Sequence, residues 1–384
     1  MINKKIIMEN KSDILNLNKK LPQIRNYQLL KKLGEGSYGK IYLAKDTKNS
    51  SLVALKIIDK TFLEILGKTE EAFIEQYMLI HLKNNNIINL LSCFQTKQKL
   101  IFVIEYFKNG NFENYLKQIQ NKNGILSYET SKFYLAELLN ILLLFQEKNV
   151  AHLDLKPGNI LLDERLHLKL IDFATCKIIG KEFDLKSKKF INKNIKKEDI
   201  QLIGTAEYVS PEIINKNVIN YKSCDIWSFG IIMYELFHGY TPFKGNNDKE
   251  TIENIKKGKF EINEKLPFEV KDLIKQLLNY NQEERLGVND IKDIMNHNFF
   301  NGINFLDLFN QKVPENLKKS YSECNHRKNS FIDELYSIDE YDNEIIDNSL
   351  IKNHHFINFS CGNDFCVVKF DETLIKFHEN YFKI

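Results

Sequence analysis

Two kinds of hydrophobic pattern follow one another along the chain. Between residues 27 and 105, apolar residues alternate with polar ones or form short runs interrupted by glycine, as in YQLLKKLGEGSYGKIYLAKD and LIFVIEYF. This pattern is typical of strands. One segment of this part, EEAFIEQYMLIHL, has its apolar residues at helical spacing, and after residue 106 that spacing dominates, as in YETSKFYLAELLNILLLFQEK. The pattern therefore predicts an α+β fold, with a small β-rich N-lobe (27–105) before a larger helical C-lobe (106–300).

Three segments depart from this pattern. Residues 1–26 are rich in Lys and Asn and are expected to form a flexible extension. Residues 181–200 carry seven Lys and four acids, which predicts a solvated loop. Residues 301–384 are expected to form a partly disordered tail with no complete second domain. In that tail, residues 333–347 carry seven acids and no base, and DFCVVKFDETLIKF could form a hairpin.

Composition narrows the function classes. A net charge of +3, from 54 basic and 51 acidic residues, indicates neither a nucleic-acid partner nor a membrane surface. The six Cys are scattered without a CxxC pair, which suits reduced thiols inside a cell. The N-terminus lacks the apolar core of a signal peptide, and the run LLNILLLF is too short to span a bilayer. We therefore expect a soluble, cytoplasmic protein without an integral membrane segment.

The first motif with chemical content is GEGSYG, which places Gly34, Gly36 and Gly39 in a GxGxxG frame between two predicted strands. Without side chains, such a backbone can approach phosphates closely. The frame alone is weak, since a glycine-rich hairpin or a dinucleotide-binding turn would fit it too. The next strand, however, ends in VALK, and Glu75 lies on the helix after it as a candidate partner for Lys56. Alone, each of these two charged residues would be read as solvated.

The second motif is HLDLKPGN, in which Asp154, Lys156 and Asn159 occupy the frame HxDxKPxN. Asp172 follows in LIDFA, 18 residues after Asp154. Carboxylate and amide oxygens are ligands that Mg²⁺ prefers. Each motif alone could be structural, but five in this order and at workable spacing resemble those of protein kinases, and the resemblance implies a bilobal protein-kinase fold. The Lys two residues after the Asp is the form found in Ser/Thr kinases.

Further motifs refine the resemblance. GTAEYVSPE (204–212), CDIWSFG (224–230) and ERLG (284–287) follow in order. Over about residues 27–305, the chain resembles AGC-type Ser/Thr kinases. Within that group it is most similar to the 3-phosphoinositide-dependent protein kinase family, through GTAEYVSPE, KNG (108–110) and FYLAELL (133–139). The resemblance also implies that Glu212 is a buried carboxylate paired with Arg285.

The resemblance implies transfer of the ATP γ-phosphate to protein Ser or Thr. Asp154 would accept the hydroxyl proton, Lys156 would lie near the transferred phosphate, and Glu75 would hold Lys56. Asn159 and Asp172 would bind Mg²⁺. The residues implied to bind ATP are Leu33, Gly34, Glu35, Gly36, Ser37, Tyr38, Gly39, Lys40, Ile41, Ala54, Lys56, Glu105, Phe107, Asn159, Leu161 and Asp172.

One departure from the family concerns regulation. Most kinases carry, before the catalytic Asp, an Arg that binds a phosphate on the activation segment. Here that residue is Leu153, and the usual phosphate-bearing position is Gln201. Both halves of the switch are thus absent together. Glu198 and Asp199 could mimic a phosphate, but they lack the Arg to bind. We expect an enzyme that its own loop phosphorylation does not control.

Three other substitutions lie in or beside these motifs. Ala174 replaces the Gly of the D-F-G triplet, which stiffens the backbone and removes no ligand. Gly158 replaces a Glu that commonly contacts a basic substrate residue, so the resemblance does not carry over a preference for Arg upstream of the target. Asn111 replaces a Glu that commonly touches the ATP ribose.

The implied partners are protein substrates, foremost other AGC-type kinases on whose activation loops this enzyme would act. They would dock a hydrophobic motif in a groove lined by Lys60, Leu63, Gln76, Gln95 and Leu100. Gln76 stands where the family has an Arg for a phosphate. The tail is too short for a pleckstrin-homology domain, so phosphoinositide binding is not expected.

Two alternatives remain open from sequence. Leu153, Ala174 and Gln201 together would also suit a pseudokinase scaffold. Alternatively, FINFSC (356–361) resembles the motif by which other AGC kinases fill their own groove, which would indicate an effector kinase. A chance aromatic cluster is the other interpretation of FINFSC, because the chain has 27 Phe.

Overall fold

The computed structural model describes residues 23–36, 38–122, 124–187, 189–193 and 204–314, with the backbone of 361–362, 365–368 and 375–377. The N-terminal part is built on an antiparallel sheet whose first five strands have the order β1-β2-β3-β5-β4. These strands are β1 (Tyr27–Glu35), β2 (Gly39–Asp46), β3 (Leu52–Asp59), β4 (Leu90–Gln95) and β5 (Lys99–Glu105). Two helices, α1 (Lys60–Ile65) and α2 (Thr69–His81), connect β3 to β4.

The central strand β3 explains why this sheet is stable. Leu55 and Ile57 pack into an apolar cluster on one face of the sheet, whereas Ile58 joins the main core on the other. Side chains alternate between the two faces of a strand, so β3 buries both of its faces. Lys56 takes its place in this alternation and is buried as well.

Three strands from the end of the chain extend the same sheet beyond β4. They are β12 (Cys361–Gly362), β13 (Phe365–Val368) and β14 (Ile375–Phe377). Cys361 is the register partner of Cys93 in β4, and β13 pairs with β14 in antiparallel fashion. The hairpin that the sequence suggested in DFCVVKFDETLIKF is thus present in the backbone.

The C-terminal part is mainly helical. Its helices are α3 (Phe112–Gln120), α4 (Tyr128–Lys148), α5 (Pro211–Ile214), α6 (Tyr221–His238), α7 (Asp248–Lys257), α8 (Phe268–Leu277) and α9 (Lys292–Met295). Its strands are β6 (Val150–Ala151), β7 (Ile160–Leu162), β8 (Leu168–Leu170), β9 (Lys177–Ile178), β10 (Lys181–Asp184) and β11 (Lys189–Asn192). Short 3₁₀ turns occupy Ile24–Asn26, Pro157–Asn159, Ala206–Tyr208, Asn298–Phe300 and Phe305–Asn310. The expected α+β architecture, a β-rich part followed by a helical part, is confirmed.

Helix α4 is the long central helix of this part. The Ser127 hydroxyl accepts a hydrogen bond from Thr130 N–H at 3.3 Å and caps the N-terminus. Asn149, at φ 52°, ends the helix in a left-handed conformation. The helix packs on α6, and both lie in the main hydrophobic core. None of the helices that the structure describes is long and apolar enough to cross a membrane.

The implied ion pair between Glu212 and Arg285 is present. The Arg285 Nη1 atom donates to Glu212 Oε1 at 2.6 Å, and Nη2 donates to Oε2 at 3.1 Å. Both side chains are buried, and the guanidinium also lies over the Trp227 ring. This bidentate ion pair ties α5, which carries Glu212, to the segment that carries Arg285, between α8 and α9.

The expectation of a solvated loop over residues 181–200 is wrong for its first half. Residues 181–184 and 189–192 form the two strands of a hairpin, and Phe183 and Phe190 pack against the core. Because the segment is rich in Lys, its pattern did not indicate that Phe183 and Phe190 would be packed against the core. Residues 194–200, the acidic segment 333–347 and residues 1–22 lie outside the described residues. Ile24, within the predicted N-terminal extension, is buried.

Candidate functional site

The glycine-rich turn joins β1 to β2 and lies beside Lys56, since a Cβ at Gly36 would be 3.8 Å from Lys56 Cε. Gly36 N–H donates to the Gly39 carbonyl at 2.8 Å and closes the turn. A Cβ at Gly39 would collide with the Ile57 carbonyl oxygen, so only glycine fits at this position. The last three residues of β1 are Leu33, Gly34 and Glu35, and Lys40 and Ile41 follow Gly39 at the start of β2. The Tyr38 side chain, in the turn, is half-buried. Ser37 lies outside the described residues.

Lys56 lies at the centre of a buried charge cluster. Its Nζ is 2.6 Å from Glu75 Oε1 and 3.3 Å from Asp172 Oδ1. Burial lowers the pKa of Lys56, but the Asp172 and Glu75 carboxylates more than offset this and raise it. Burial raises the pKa of Asp172, yet Lys56 outweighs it and holds that pKa below its usual value. Lys56 and Asp172 are therefore both charged at neutral pH.

The catalytic-loop residues surround the Asp154 carboxylate. Lys156 Nζ and Asn159 Nδ2 each donate to Asp154 Oδ2 at 2.8 Å. Asn159 Nδ2 also donates to the Asp154 carbonyl at 2.9 Å. Since the amide nitrogen of Asn159 is occupied in this way, its oxygen remains available as a ligand.

Thr205 completes this arrangement, and the sequence reasoning did not assign it a role. Its N–H donates to Asp154 Oδ1 at 3.0 Å and its hydroxyl to the same oxygen at 3.1 Å. Lys156 Nζ donates to that hydroxyl. The available signal was the hydroxyl residue directly after Gly204 in GTAEY. Gly204 itself has φ 99°, and a Cβ there would lie 2.7 Å from the Leu153 carbonyl.

The residues after β5 form the connection between the two parts. The Glu105 carboxylate accepts hydrogen bonds from Asn89 N–H at 3.1 Å and Nδ2 at 2.9 Å. Ala54 lies opposite Ile104 in the sheet register. Lys169 Nζ is 5.6 Å from the centre of the Phe107 ring. The Glu105 carboxylate thus ties the end of β5 to Asn89, directly before β4.

Comparison with known proteins decides the family. The protein kinase domain model matches residues 27–300. The chain belongs to the protein kinase family. It is 32% identical over 295 residues to serine/threonine-protein kinase PKH2 of Saccharomyces cerevisiae, and 34% over 307 residues to PKH1 of the same yeast. It is 32% identical over 292 residues to human ribosomal protein S6 kinase alpha-3.

These matches cover 76%, 76% and 75% of the kinase chain, but only 26%, 38% and 37% of the relatives. The chain thus spans well under half of their length. The expected assignment to the protein serine/threonine kinases, and to the AGC type in particular, is confirmed. A protein kinase domain implies ATP as a substrate and typically a divalent metal.

The residues of this kinase fit such a metal. Asp172 supplies a carboxylate, and Asn159 supplies the amide oxygen that its hydrogen bonds leave available. Both are hard oxygen donors, and Mg²⁺ usually takes one or two carboxylates together with substrate phosphates. Asp172 adopts φ 62°, a left-handed conformation that Asp adopts more readily than most residues with a Cβ.

Leu153 of the kinase lies in an apolar environment. It is 7% exposed and packs in a cluster with Val209, Ile213 and Tyr221. Its φ is 65°, and its N–H donates to Asp225 Oδ1 at 2.8 Å. The Leu153 side chain is therefore stabilised by apolar contacts, without a phosphate or a charged partner. Burial raises the pKa of Asp225 to about 7, although two backbone N–H donors oppose the shift.

The D-F-A triplet is packed as a unit. The Phe173 side chain is fully buried, and its ring meets the His152 ring edge-on at 5.4 Å. Ala174 is buried too and is not among the positive-φ residues of the described chain. The extra methyl of Ala174 is therefore accommodated without backbone strain.

The two remaining substitutions have visible consequences. Asn111 caps α3, because its Oδ1 accepts the N–H of Asn114 at 3.0 Å. A Cβ at Gly158 would lie 3.4 Å from the Glu113 carboxylate, so an acid lies beside the position where AGC kinases carry Glu.

The predicted groove residues lie together beside α1 and β4. Lys60 Nζ donates to Gln95 Oε1 at 2.7 Å and to the Thr96 carbonyl at 2.7 Å. Leu63 and Leu100 belong to the main core and are fully buried. Gln76 donates to Cys93 Sγ at 3.0 Å. Four of the five predicted residues are thus buried, and Gln95 is partly exposed.

Proposed function

We propose that this chain is an active Ser/Thr protein kinase that transfers the γ-phosphate of ATP to protein hydroxyls. The observation that carries the proposal is the formed ion pair between Lys56 and Glu75, at 2.6 Å, next to Asp172. Glu75 is only 3% exposed, so the pair is shielded from water. An inactive arrangement in which the helix moves away would leave Lys56 and Glu75 unpaired, which is costly for buried charges.

In the proposed mechanism, the oxygen of the substrate hydroxyl bonds to the γ-phosphorus of ATP, and Asp154 accepts the proton of that hydroxyl. The bond from that phosphorus to the bridging oxygen breaks, and ADP leaves. Thr205 and Asn159 hold the two oxygens of Asp154 in place for this step. Lys156, 2.8 Å from Asp154, lies where it can neutralise charge on the transferred group. When bound, Mg²⁺ supplies further positive charge toward the phosphates, and Asp172 and Asn159 would hold it.

The first test is phosphate transfer from Mg-ATP by the purified chain to a generic basic protein. The control is Asp172→Asn, which removes a metal ligand and is expected to abolish transfer. Wild-type transfer that disappears in the variant supports the proposal. Retained ATP binding without any transfer would favour the pseudokinase scaffold instead.

We further propose that phosphorylation of the activation segment does not control this activity. Leu153 packs among apolar residues and offers no cation to a phosphate. Between Thr175 and Thr205 the sequence contains a single hydroxyl side chain, Ser187. Phosphatase treatment and the Ser187→Ala substitution should both leave the rate unchanged. Loss of activity in both would sink this part of the proposal.

The proposed substrates are the activation loops of other AGC-type kinases. The support is the resemblance to the 3-phosphoinositide-dependent protein kinase family in GTAEYVSPE, KNG and FYLAELL. Of the predicted groove residues, only Gln95 is partly exposed. A peptide from such a loop, linked to a hydrophobic motif, should be phosphorylated faster than the same peptide without the motif. The control acceptor is a basic protein of similar length. Equal rates with and without the motif would contradict docking.

A second candidate is an AGC effector kinase that docks its own tail. It is favoured by β12, because Cys361, the last residue of FINFSC, is the register partner of Cys93 in β4. The other residues of FINFSC lie outside the described residues. Deletion of residues 350–384 separates the two candidates. An effector kinase should lose activity on deletion, whereas an upstream kinase should keep it and bind external motifs more tightly.

The proposed compartment is the cytoplasm. Cys176 and Cys224 are buried thiols without a disulfide, and burial raises the pKa of each. Such thiols suit a reducing compartment. Imaging of a fluorescent fusion tests this assignment directly.

A further inference from the structure

The activation segment of this kinase, between Asp172 and Glu212, contains a hairpin that contacts α2, the helix that carries Glu75. Strand β9 pairs with β6 next to the catalytic loop, and the hairpin of β10 and β11 follows after Gly180. Lys193 N–H donates to the Gly180 carbonyl at 2.9 Å, which closes the base of the hairpin. The hairpin is therefore anchored on the helical part while its side chains reach α2.

Aromatic rings form the contact. The Phe183 ring stacks on Phe73 with centres 5.5 Å apart, and the Phe190 ring lies 4.6 Å from Tyr77. Phe183 and Phe190 also meet each other edge-on at 5.2 Å. Aromatic pairs at these distances contribute beyond the apolar area that they bury. Four rings, two from each element, thus form one continuous contact.

The position of these rings on α2 connects the contact to catalysis. Phe73 and Tyr77 are four residues apart and share one face of the helix. Glu75 lies midway between them, so its side chain projects toward the other side of the helix. The hairpin consequently packs on the face of α2 that is opposite to Glu75, the partner of Lys56.

Charged side chains of both signs also lie at this contact. Glu70 in the first turn of α2 lies near Glu182 and Asp184 of the hairpin, and burial together with these acids raises the pKa of Glu70. Lys193 pairs with Glu182 at 2.6 Å, and its positive charge also lowers the pKa of Glu70. The four rings form the direct contact between hairpin and helix that the described residues show.

We propose that Phe183 and Phe190 are positioning residues that hold α2 where Glu75 reaches Lys56. The inference rests on the proposed kinase function and explains how the enzyme can dispense with loop phosphorylation. In kinases with an Arg at the position of Leu153, a phosphate orders the segment. Here a contact encoded in the chain orders it, and no modification is needed.

The test is Phe190→Ala, compared with Ile191→Ala as the matched control. Ile191 is the next residue on the same strand and is 47% exposed. We expect Phe190→Ala to lower kcat/KM for ATP by about twofold to tenfold, with faster amide hydrogen exchange in residues 69–81. Ile191→Ala should change neither quantity, and Phe190→Tyr should restore both. Equal behaviour of Phe190→Ala and Ile191→Ala would overturn the proposal.

A double-mutant cycle guards against a general loss of stability. If the rings act through each other, Tyr77→Ala combined with Phe190→Ala should cost less than the sum of the two single variants. Additive losses would overturn the contact as the cause.

The failure of the proposed function has a different signature. A wild-type chain without phosphate transfer would sink that function, whereas hydrogen exchange in α2 would still support or overturn the role of the hairpin.

Discussion

The N–H of Leu153 donates a 2.8 Å hydrogen bond to Asp225 Oδ1, and this bond holds a leucine at φ 65°. The neighbouring His152 N–H donates to the other oxygen of Asp225 at 2.6 Å. A left-handed conformation costs about 1–2 kcal/mol for a residue with a Cβ, so the two bonds must compensate. The shape of the catalytic loop is therefore set by Asp225 and the backbone. The side chain at position 153 can be Leu without disturbing Asp154.

Removal of Asp225 should be severe. Asp225→Ala leaves two buried N–H groups without acceptors, at about 1–3 kcal/mol each. We expect a loss of about 2–6 kcal/mol in the free energy of unfolding, together with a lower kcat because Asp154 shifts. Urea denaturation and steady-state kinetics measure the two effects. Asp225→Asn keeps one acceptor and should lie between wild type and Asp225→Ala; a stable, fully active Asp225→Ala variant would contradict the role of the two bonds.

Restoring the family's Arg at position 153 should harm this kinase. Leu153→Arg places a charge into the cluster of Val209, Ile213 and Tyr221 without a partner. We expect a loss of about 3–5 kcal/mol in the free energy of unfolding, measured by chemical denaturation. Leu153→Met keeps the volume and should cost less than about 1.5 kcal/mol. An arginine variant as stable as the methionine variant would mean that the guanidinium finds a partner or reaches water.

The hydroxyl of Thr205 should matter for turnover. It donates to Asp154 and accepts from Lys156, so its loss frees both catalytic side chains. Hydrogen bonds to charged groups contribute about 1.5–3 kcal/mol, and Thr205→Ala should lower kcat about tenfold to a hundredfold. Thr205→Ser keeps the hydroxyl and should retain most of the activity. If the alanine and serine variants turn over equally fast, the hydroxyl has no part in catalysis.

Lys60 should give the stability a measurable pH dependence. Burial lowers the pKa of Lys60 from 10.5 to about 8, and the negative charge of Glu64 opposes this shift. Between pH 8 and 10.5 the unfolded chain therefore binds more protons at this residue than the folded one. The free energy of unfolding should rise with pH across this window, because the cost of a buried charge disappears. Unfolding measured at several pH values, with Lys60→Met as the control that lacks the slope, tests this; parallel curves for the two proteins would refute it.

Much of the fold was predictable because its signals are local. Helix α4 occupies residues 128–148, the run that helical spacing indicated, and the caps at Ser127 and Asn149 are residue types that end helices. The pairing of Glu212 with Arg285 followed from the family resemblance. Such features depend on residue types within a few turns, or on motifs with strict spacing.

The hairpin over residues 181–192 was missed for a physical reason. Its sequence carries Phe183 and Phe190 among many lysines, and two apolar residues do not reveal a buried face by themselves. Their partners, Phe73 and Tyr77, lie more than a hundred residues earlier. Only folding brings the four rings together. The pattern of apolar residues along one strand does not show which distant residues that strand will contact.

The sequence by itself determined the family, the order of the elements and the identities of the groups that can carry phosphoryl transfer. It did so because those groups occur in motifs whose spacing is local. The tertiary structure alone decided how they are held: Thr205 at Asp154, Asp225 under Leu153, and the hairpin on α2. These relationships join residues that are far apart in sequence, and short-range attractions such as hydrogen bonds and ring contacts act only after the chain has brought them within reach.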